Sequence, residues 1–374
     1  MRFLKSLSVF AGTIIGVGIF GLPYVALKAG FLMVIFYFLV MTGVAVVIHL
    51  FLGKVALGTT KLHRLPGYAE EYLGPRWKKA SLVVLGLGLT GALLAYLIVG
   101  GDFLTFLLKP YWGGSNLIYS LIFFALGAYL ILRDIKSVSQ IELALLFVFF
   151  AIIILFFVKA YPFINLDYLI KGVDWHYWAL PYGVVLFSLW GTSIVPEVKE
   201  MLVGDAKTFK RVIVSGILLA AATYLFFIFT VLGASGSLTS EEAISGLARA
   251  LDDRVIKLGF IFGVITCFTS FLTLGLTLKK TLWYDFNLSP YFAWLVACFG
   301  PLFLFLAGVR QFIEVVSLTG AVAVGSEALI IIFLYRAFLK KKFGQKLNPF
   351  FYLLTVFFIL GTVFEIFYLV ASNV

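Results

Sequence analysis

The chain has 374 residues and a formal net charge of +11, with 62% hydrophobic and only 13% charged residues. A soluble domain is about 45–50% apolar and about 25% charged, so this composition excludes an ordinary soluble enzyme and a disordered chain. The basic residues lie between long apolar runs, which indicates membrane topology rather than nucleic-acid binding.

The apolar runs predict an all-α polytopic membrane protein with about eleven transmembrane helices, because backbone polar groups in lipid must be satisfied internally. The predicted spans cover approximately residues 6–28, 31–53, 80–108, 115–132, 137–158, 176–201, 208–233, 255–278, 290–307, 311–335 and 348–371. With a cytoplasmic N-terminus, most of the 29 Lys and Arg residues fall on the cytoplasmic side. We therefore expect a multi-pass protein of the cell (plasma or inner) membrane with its C-terminus outside.

Residues that disfavour a helix are concentrated at the centre of span 1. Residues 12–23 read GTIIGVGIFGLP, and glycine costs about 1 kcal/mol and proline about 3 kcal/mol in a helix interior. This cluster predicts an unwound stretch that lines a cavity. Gly16-x-Gly18-x-x-Gly21 also matches a dinucleotide fingerprint, but no strand precedes it and the next acidic residue is Glu70. A helix-packing seam through Gly12 and Gly16 is compatible with the cavity.

Span 6 repeats the interruption, because residues 186–197 read LFSLWGTSIVPE. Spans 1 and 6 cross the membrane in opposite directions in the predicted topology. Paired interrupted helices in two inverted halves are typical of a transporter binding site. We therefore expect a single transporter domain (1–374) with a first inverted repeat over 1–158, a second over 176–335, and an additional helix over 348–371.

Span 8 carries hydroxyl side chains along one helical face: Thr266, Thr269, Ser270, Thr273 and Thr277. Hydroxyl oxygens suit a small cation that also takes backbone carbonyls, and the gap in span 1 would supply carbonyls. The alternative is that these hydroxyls bond back to their own helix.

Glu327 is the deepest acidic residue in the predicted spans. Intramembrane carboxylates are costly and usually functional, so Glu327 is a candidate for proton coupling or gating, with a structural hydrogen bond as the alternative. Asp102, Glu314 and Glu365 lie near outer helix ends, where we expect them to reach water. Glu197, at the inner end of span 6, is a candidate for an inner-gate ion pair with a basic loop.

Several of these stretches resemble a known family. Residues 11–23, AGTIIGVGIFGLP, resemble span 1 of bacterial aromatic amino acid permeases, in the amino acid/auxin permease branch of the amino acid–polyamine–organocation superfamily. Pro196-Glu197, Gly204-Asp205 and the TSFL of residues 269–272 are similar too. The resemblance implies the five-plus-five inverted-repeat fold typified by the bacterial sodium-coupled leucine transporter. It also implies a secondary active, ion-coupled symporter of aromatic or large neutral amino acids that works by alternating access.

The resemblance implies a site with a substrate part and a candidate sodium part. In the substrate part, N–H groups of span 1 would meet the carboxylate, carbonyls of span 6 would meet the amino group, and the other members would shape the side-chain pocket. The substrate part comprises Gly16, Val17, Gly18, Ile19, Tyr96, Phe187, Ser188, Leu189, Trp190, Gly191 and Cys267. The candidate sodium part comprises Gly12, Ile15, Thr266, Thr269 and Ser270. Gly191 would leave room for a large side chain.

The coupling ion, Na+ or H+, stays open at this point. The middle of span 5 (143–157) lacks the lysine that some proton-coupled superfamily members carry, which favours sodium, whereas the aromatic permeases are generally regarded as proton-coupled. We expect a monomer in the lipid bilayer with an amino acid substrate and no cofactor or nucleic acid. The alternatives are a membrane amino acid sensor or binding protein without net transport and a transporter of another small amine or amino acid. Scattered histidines and the lack of a catalytic constellation disfavour an intramembrane enzyme.

Overall fold

A computed structural model describes residues 2–61, 63–133, 142–251, 254–344 and 349–372. The described part is helical and contains no strand. Its α-helices, in chain order, are α1 (Arg2–Ile14), α2 (Gly18–Ala29), α3 (Phe31–Gly58), α4 (Leu65–Leu73), α5 (Pro75–Trp112), α6 (Asn116–Leu132), α7 (Glu142–Ala160), α8 (Asp167–Ile170), α9 (Leu180–Ser188), α10 (Val195–Met201), α11 (Ala206–Ser235), α12 (Ile244–Leu251), α13 (Arg254–Phe286), α14 (Pro290–Leu306), α15 (Phe312–Leu318), α16 (Gly325–Phe343) and α17 (Pro349–Ser372). A π-helix, Thr319–Val324, joins α15 to α16.

The helices match the predicted fold class. Within the described residues, seven helical segments are long and apolar enough to cross a membrane, and α1 with α2 forms a further span bent by 53°. The apolar helices α6 and α14 are shorter, with 17 residues each. The interrupted pair α9 and α10 completes the set of spans that the sequence predicted.

A buried lysine on α13 contacts the end of α6. Span 8 was expected to end near residue 278, but α13 continues to Phe286. Lys279 is 2% exposed, and its ammonium donates to the carbonyl oxygen of Ile131 at 3.2 Å, at the end of α6. A cation is favourable at a helix C-terminus, so this lysine satisfies the end of α6.

Glycines bring span 6 and span 10 into backbone contact. A Cβ atom at Gly183 of α9 would collide with the Ser317 carbonyl, and one at Gly320 in the π-helix would collide with the Gly183 carbonyl. The first half of span 6 therefore packs directly against the irregular part of span 10. This packing places the residues that follow the π-helix beside the break in span 6.

Candidate functional site

Span 1 is interrupted where its glycines predicted. Helix α1 ends at Ile14 and α2 begins at Gly18. The backbone N–H of Val17 donates to the hydroxyl oxygen of Tyr96 on α5 at 3.2 Å. A Cβ at Gly16 would collide with that hydroxyl, and a Cβ at Gly18 would collide with the Ser188 side chain. Both glycines are thus required for close approach between span 1 and its neighbours.

Three consecutive residues of the span 6 break are held by side chains from two other spans. The N–H of Gly191 donates to Nε2 of His49 on α3 at 3.0 Å. The indole N–H of Trp190 donates to Oε2 of Glu327 on α16 at 3.0 Å, and the Thr192 hydroxyl donates to Oε1 of the same carboxylate at 2.5 Å. The break is therefore an ordered segment whose polar groups have defined partners.

Tyr224 on α11 joins the two breaks. Its hydroxyl oxygen lies 2.7 Å from the carbonyl oxygen of Ile14 and 2.8 Å from that of Ser188. These residues are the last helical residues of α1 and α9. The negative ends of two half-helix dipoles thus converge on one hydroxyl, while the positive end of α2 begins a few residues away. Such a site can attract a positive group and a negative group at once.

Two cavities flank the breaks. The first, here named the span 8 cavity, has a volume of about 110 Å³ and is lined by Gly12, Thr13, Ile15, Gly16, Val17, Ile19, Phe20, Tyr96, Leu146, Phe149, Thr266, Cys267, Thr269, Ser270, Thr273 and Leu274. The second, here named the span 10 cavity, has a volume of about 100 Å³ and is lined by Thr13, Ile14, Gly16, Gly18, Leu85, Gly88, Leu89, Ala92, Tyr96, Phe187, Ser188, Trp190, Thr192, Ser193, Leu274, Val324 and Glu327. Gly16 and Tyr96 belong to both, so the unwound part of span 1 separates them.

The structure distributes the candidate residues between these cavities. All five sodium candidates line the span 8 cavity, together with Val17, Ile19 and Cys267 of the substrate set. Another group of substrate candidates lines the span 10 cavity, namely Gly18, Phe187, Ser188 and Trp190. Leu189 and Gly191 line neither cavity. Leu189 is fully buried, and a Cβ at Gly191 would meet the Ile14 side chain, so Gly191 permits close packing of the two breaks.

The threonine hydroxyls on span 8 bond to their own helix. Thr266 donates to the Phe262 carbonyl and Thr269 to the Thr266 carbonyl, both at 3.1 Å. A donating hydroxyl keeps its oxygen lone pairs, so these bonds leave the oxygens able to ligate a cation. Among the side chains that the structure describes, those that line the cavity include no carboxylate. Hydroxyl and carbonyl oxygens of this kind suit a small monovalent cation.

Three further acidic residues of the described part, Glu197, Glu365 and Asp102, lie outside both cavities. Glu197 on α10 pairs with Arg64, which precedes α4, at 3.4 Å between Oε1 and Nη2. Glu365 corrects an expectation, because its side chain does not reach water: it is fully buried on α17 and accepts a hydrogen bond from Ser317 of α15. Asp102 accepts a hydrogen bond of 2.7 Å from the Asn116 amide.

A comparison with family profiles decides the assignment. The profile described as the Tryptophan/tyrosine permease family matches residues 1–371. The chain belongs to this family. Membership indicates a membrane permease rather than an enzyme. A comparison with curated protein sequences gives no significant match.

Solved structures share the fold of the permease at low sequence identity. The crystal structure of MhsT in complex with L-phenylalanine is 16% identical, with a TM-score of 0.69 over 98% of each chain. The inward-facing conformation of Mhp1 is 14% identical, with a TM-score of 0.69 over 91% of this chain and 77% of Mhp1. A manganese transporter of Eremococcus coleocola is 10% identical, with a TM-score of 0.61 over 100% of this chain and 94% of that one. At these identities the likeness shows the fold alone.

Sequence reasoning missed three residues that organise the site of the permease. The sequence did contain a reason to select Thr192, because this residue lies in the interrupted part of span 6. The sequence contained a weaker reason to select His49, which is a histidine inside a long apolar run. In the structure this residue is 0% exposed. The sequence contained no reason to select Tyr224, because a tyrosine in a transmembrane helix has no distinctive pattern until its neighbours in space are known.

Proposed function

We propose that this permease is a secondary active symporter of aromatic amino acids, tryptophan and tyrosine foremost, that works by alternating access. We further propose that it belongs to the amino acid–polyamine–organocation superfamily. Its two inverted halves would cover 1–158 and 176–335, with an additional helix over 348–371. The protein would lie in the cell membrane with a cytoplasmic N-terminus. The observation that carries this proposal is the span 10 cavity, which has polar groups at the two helix breaks and apolar walls elsewhere.

The polar end of the cavity suits a zwitterion. The start of α2 presents the positive end of a helix dipole, which would favour the substrate carboxylate. The carbonyls of Ile14 and Ser188 end α1 and α9, and they would favour the amino group. A charge at a partly buried helix end is stabilised by up to about 2 kcal/mol, so two opposite ends within one site recognise an α-amino acid.

The other walls suit a large apolar side chain. They come from spans 3, 6, 8 and 10 and consist of Leu85, Leu89, Ala92, Phe187, Leu274 and Val324. Gly88, on the same face of α5, adds no side chain, so it leaves room for a ring. The family description and the phenylalanine bound to MhsT support an aromatic substrate.

The chain offers two places for the coupling ion. Sodium would bind in the span 8 cavity, to carbonyls of Gly12 and Ile15 and to the hydroxyls of Thr266, Thr269 and Ser270. A proton would bind to Glu327, whose two oxygens both contact the span 6 break. In either case the ion acts on a broken helix that also lines the substrate cavity. The Arg64–Glu197 ion pair would close the cytoplasmic side.

The test is uptake of labelled tryptophan and tyrosine into proteoliposomes. An inward sodium gradient at equal pH and an inward proton gradient without sodium are applied separately, with leucine, alanine and spermidine as competitors. We expect accumulation above equilibrium under one gradient and competition by aromatic amino acids alone. Binding without uptake would favour a sensor, equilibration without accumulation would exclude symport, and competition by spermidine would indicate another amine substrate.

A further inference from the structure

His49 lies at the junction of spans 1, 2 and 6 and is fully buried. Its Nδ1 lies 2.7 Å from the carbonyl oxygen of Ala45, one turn earlier on α3, and its Nε2 lies 3.0 Å from the backbone nitrogen of Gly191. The ring also packs edge-on against Phe10 of α1 and Trp190 of the span 6 break, with centroids 5.9 and 5.2 Å apart.

These two hydrogen bonds define the protonation state of the ring. A carbonyl oxygen can only accept, so Nδ1 carries a hydrogen and donates to Ala45. A backbone N–H can only donate, so Nε2 carries no hydrogen and accepts from Gly191. His49 is therefore the neutral Nδ1–H tautomer in this conformation.

Protonation would convert the Gly191 contact from attraction to repulsion. An imidazolium donates from both ring nitrogens, so Nε2–H would point at the Gly191 N–H. The groups that face the ring from spans 1 and 6, Phe10 and Trp190, do not titrate, and no charged side chain among the described residues acts on it. Glu327, on the far side of Trp190, is the titratable group that holds the same segment. A charged His49 would thus be buried without a counter-ion and would release Gly191.

We propose that His49 is a proton-sensitive positioning residue for the break in span 6: its neutral ring fixes Gly191, and its protonation releases the segment formed by Trp190, Gly191 and Thr192. The residue acts through that segment and lines neither cavity. It therefore changes how well the span 10 cavity is formed rather than contacting the substrate. Its effect on transport rests on the proposed function, whereas its tautomer does not.

The first test is nitrogen NMR of the permease labelled with ¹⁵N-histidine in lipid bilayers. The chain has only three histidines, so the His49 signals are assigned by their loss in His49→Gln. We expect one residue with a protonated Nδ1 and a bare Nε2 at neutral pH. An Nε2–H tautomer or an imidazolium at His49 would overturn the proposal whether or not the protein transports anything.

The second test measures tryptophan affinity across pH without any gradient. A glutamine at position 49 carries an amide oxygen that can accept from Gly191 and does not titrate, whereas a leucine cannot accept. We expect His49→Gln to keep affinity within about twofold at neutral pH and to flatten the acid limb of the profile. We expect His49→Leu to weaken binding roughly five- to 100-fold, as a buried N–H without an acceptor implies. His176→Gln, in an outer loop, is the matched control and should reproduce the wild-type profile.

The outcomes separate the two hypotheses. An unchanged acid limb in His49→Gln would overturn the role of His49 while leaving transport intact. A permease that binds no aromatic amino acid at any pH would overturn the proposed function, and the NMR test would still decide the state of His49. A melting temperature for each variant within a few degrees of the wild type shows that the variant is folded.

Discussion

Glu327 on α16 accepts a hydrogen bond of 2.5 Å from the hydroxyl of Thr192, a residue 135 positions earlier inside the span 6 break. The second oxygen of the same carboxylate accepts from the Trp190 indole. A buried carboxylate is tolerated only when its oxygens are satisfied, so the carboxylate and the break stabilise one another. The protonation state of span 10 is thereby linked to the conformation of span 6.

The first prediction concerns that link. Glu327→Gln removes the negative charge that strengthens both hydrogen bonds, and it replaces one acceptor oxygen by an N–H group that can only donate. A hydrogen bond to a charged group contributes about 1.5–3 kcal/mol, and we expect kcat/KM for tryptophan uptake to fall roughly tenfold to 100-fold. Glu70→Gln, in the surface ion pair with Lys78, is the control and should change uptake by less than about fivefold, because such pairs contribute about 0–1 kcal/mol. Equal uptake by Glu327→Gln and the wild type would remove Glu327 from the mechanism.

The second prediction concerns the close approach of spans 1 and 6. A Cβ at position 18 would collide with the side chain of Ser188, so Gly18→Leu should abolish tryptophan binding while the protein still folds. Gly86→Leu, on α5, is the matched control because a Cβ there meets nothing within 4 Å. Binding would be followed by isothermal titration and folding by thermal melting. Wild-type affinity in Gly18→Leu would show that the substrate binds elsewhere.

The third prediction concerns the hydroxyl that bridges the two breaks. Tyr224→Phe removes it and leaves the carbonyl ends of α1 and α9 without their shared donor. Each buried acceptor that loses its partner costs about 1–3 kcal/mol. We expect a lower melting temperature and slower turnover than in Tyr352→Phe, a change on a tyrosine that is 56% exposed. If Tyr224→Phe and Tyr352→Phe have the same melting temperature, the bridge does not stabilise the breaks.

The fourth prediction concerns the span 8 cavity. Thr269→Val combined with Ser270→Ala removes two hydroxyl oxygens from its lining. If sodium binds there, the sodium concentration for half-maximal uptake should rise at least tenfold, roughly the effect of losing one polar interaction. Thr277→Val lies on the same helical face but outside the cavity lining, so it should behave as wild type. Unaltered sodium dependence in the double variant would assign these hydroxyls to helix packing.

The fifth prediction concerns a cap outside the membrane. Asp205 caps the start of α11 and accepts a hydrogen bond of 2.9 Å from the Thr208 N–H. Hydrogen bonds from the Thr208 hydroxyl and from this N–H hold the pKa of the carboxyl below its usual value. A lowered pKa in the folded state stabilises the fold above the ordinary pKa and loses this effect as the pH falls through the lowered value. Asp205→Ala should therefore have a lower melting temperature than the wild type at neutral pH. The difference between the two melting temperatures should disappear in acid. A difference that stays constant with pH would exclude the cap as its cause.

The breaks were predictable, but their partners were not. Glycine and proline carry a local cost, so residues 12–23 predict the interruption of span 1 without any neighbour. The bond from Gly191 to His49 depends on how span 2 packs against span 6, which the apolar run around His49 does not encode. Glu365 was misplaced for the same reason: its distance from the helix end predicted contact with water, but α17 turns it onto Ser317. The sequence predicts where along a span a residue lies, whereas helix packing determines which way its side chain faces.

The most direct test of the central claim is a structure of the permease with bromotryptophan, located by the anomalous signal of bromine. We expect the bromine in the span 10 cavity, among Leu89, Phe187 and Val324, with the amino acid end between the breaks of spans 1 and 6. Bromine in the groove beside Asp102 and Lys257, with neither break occupied, would contradict the proposed site.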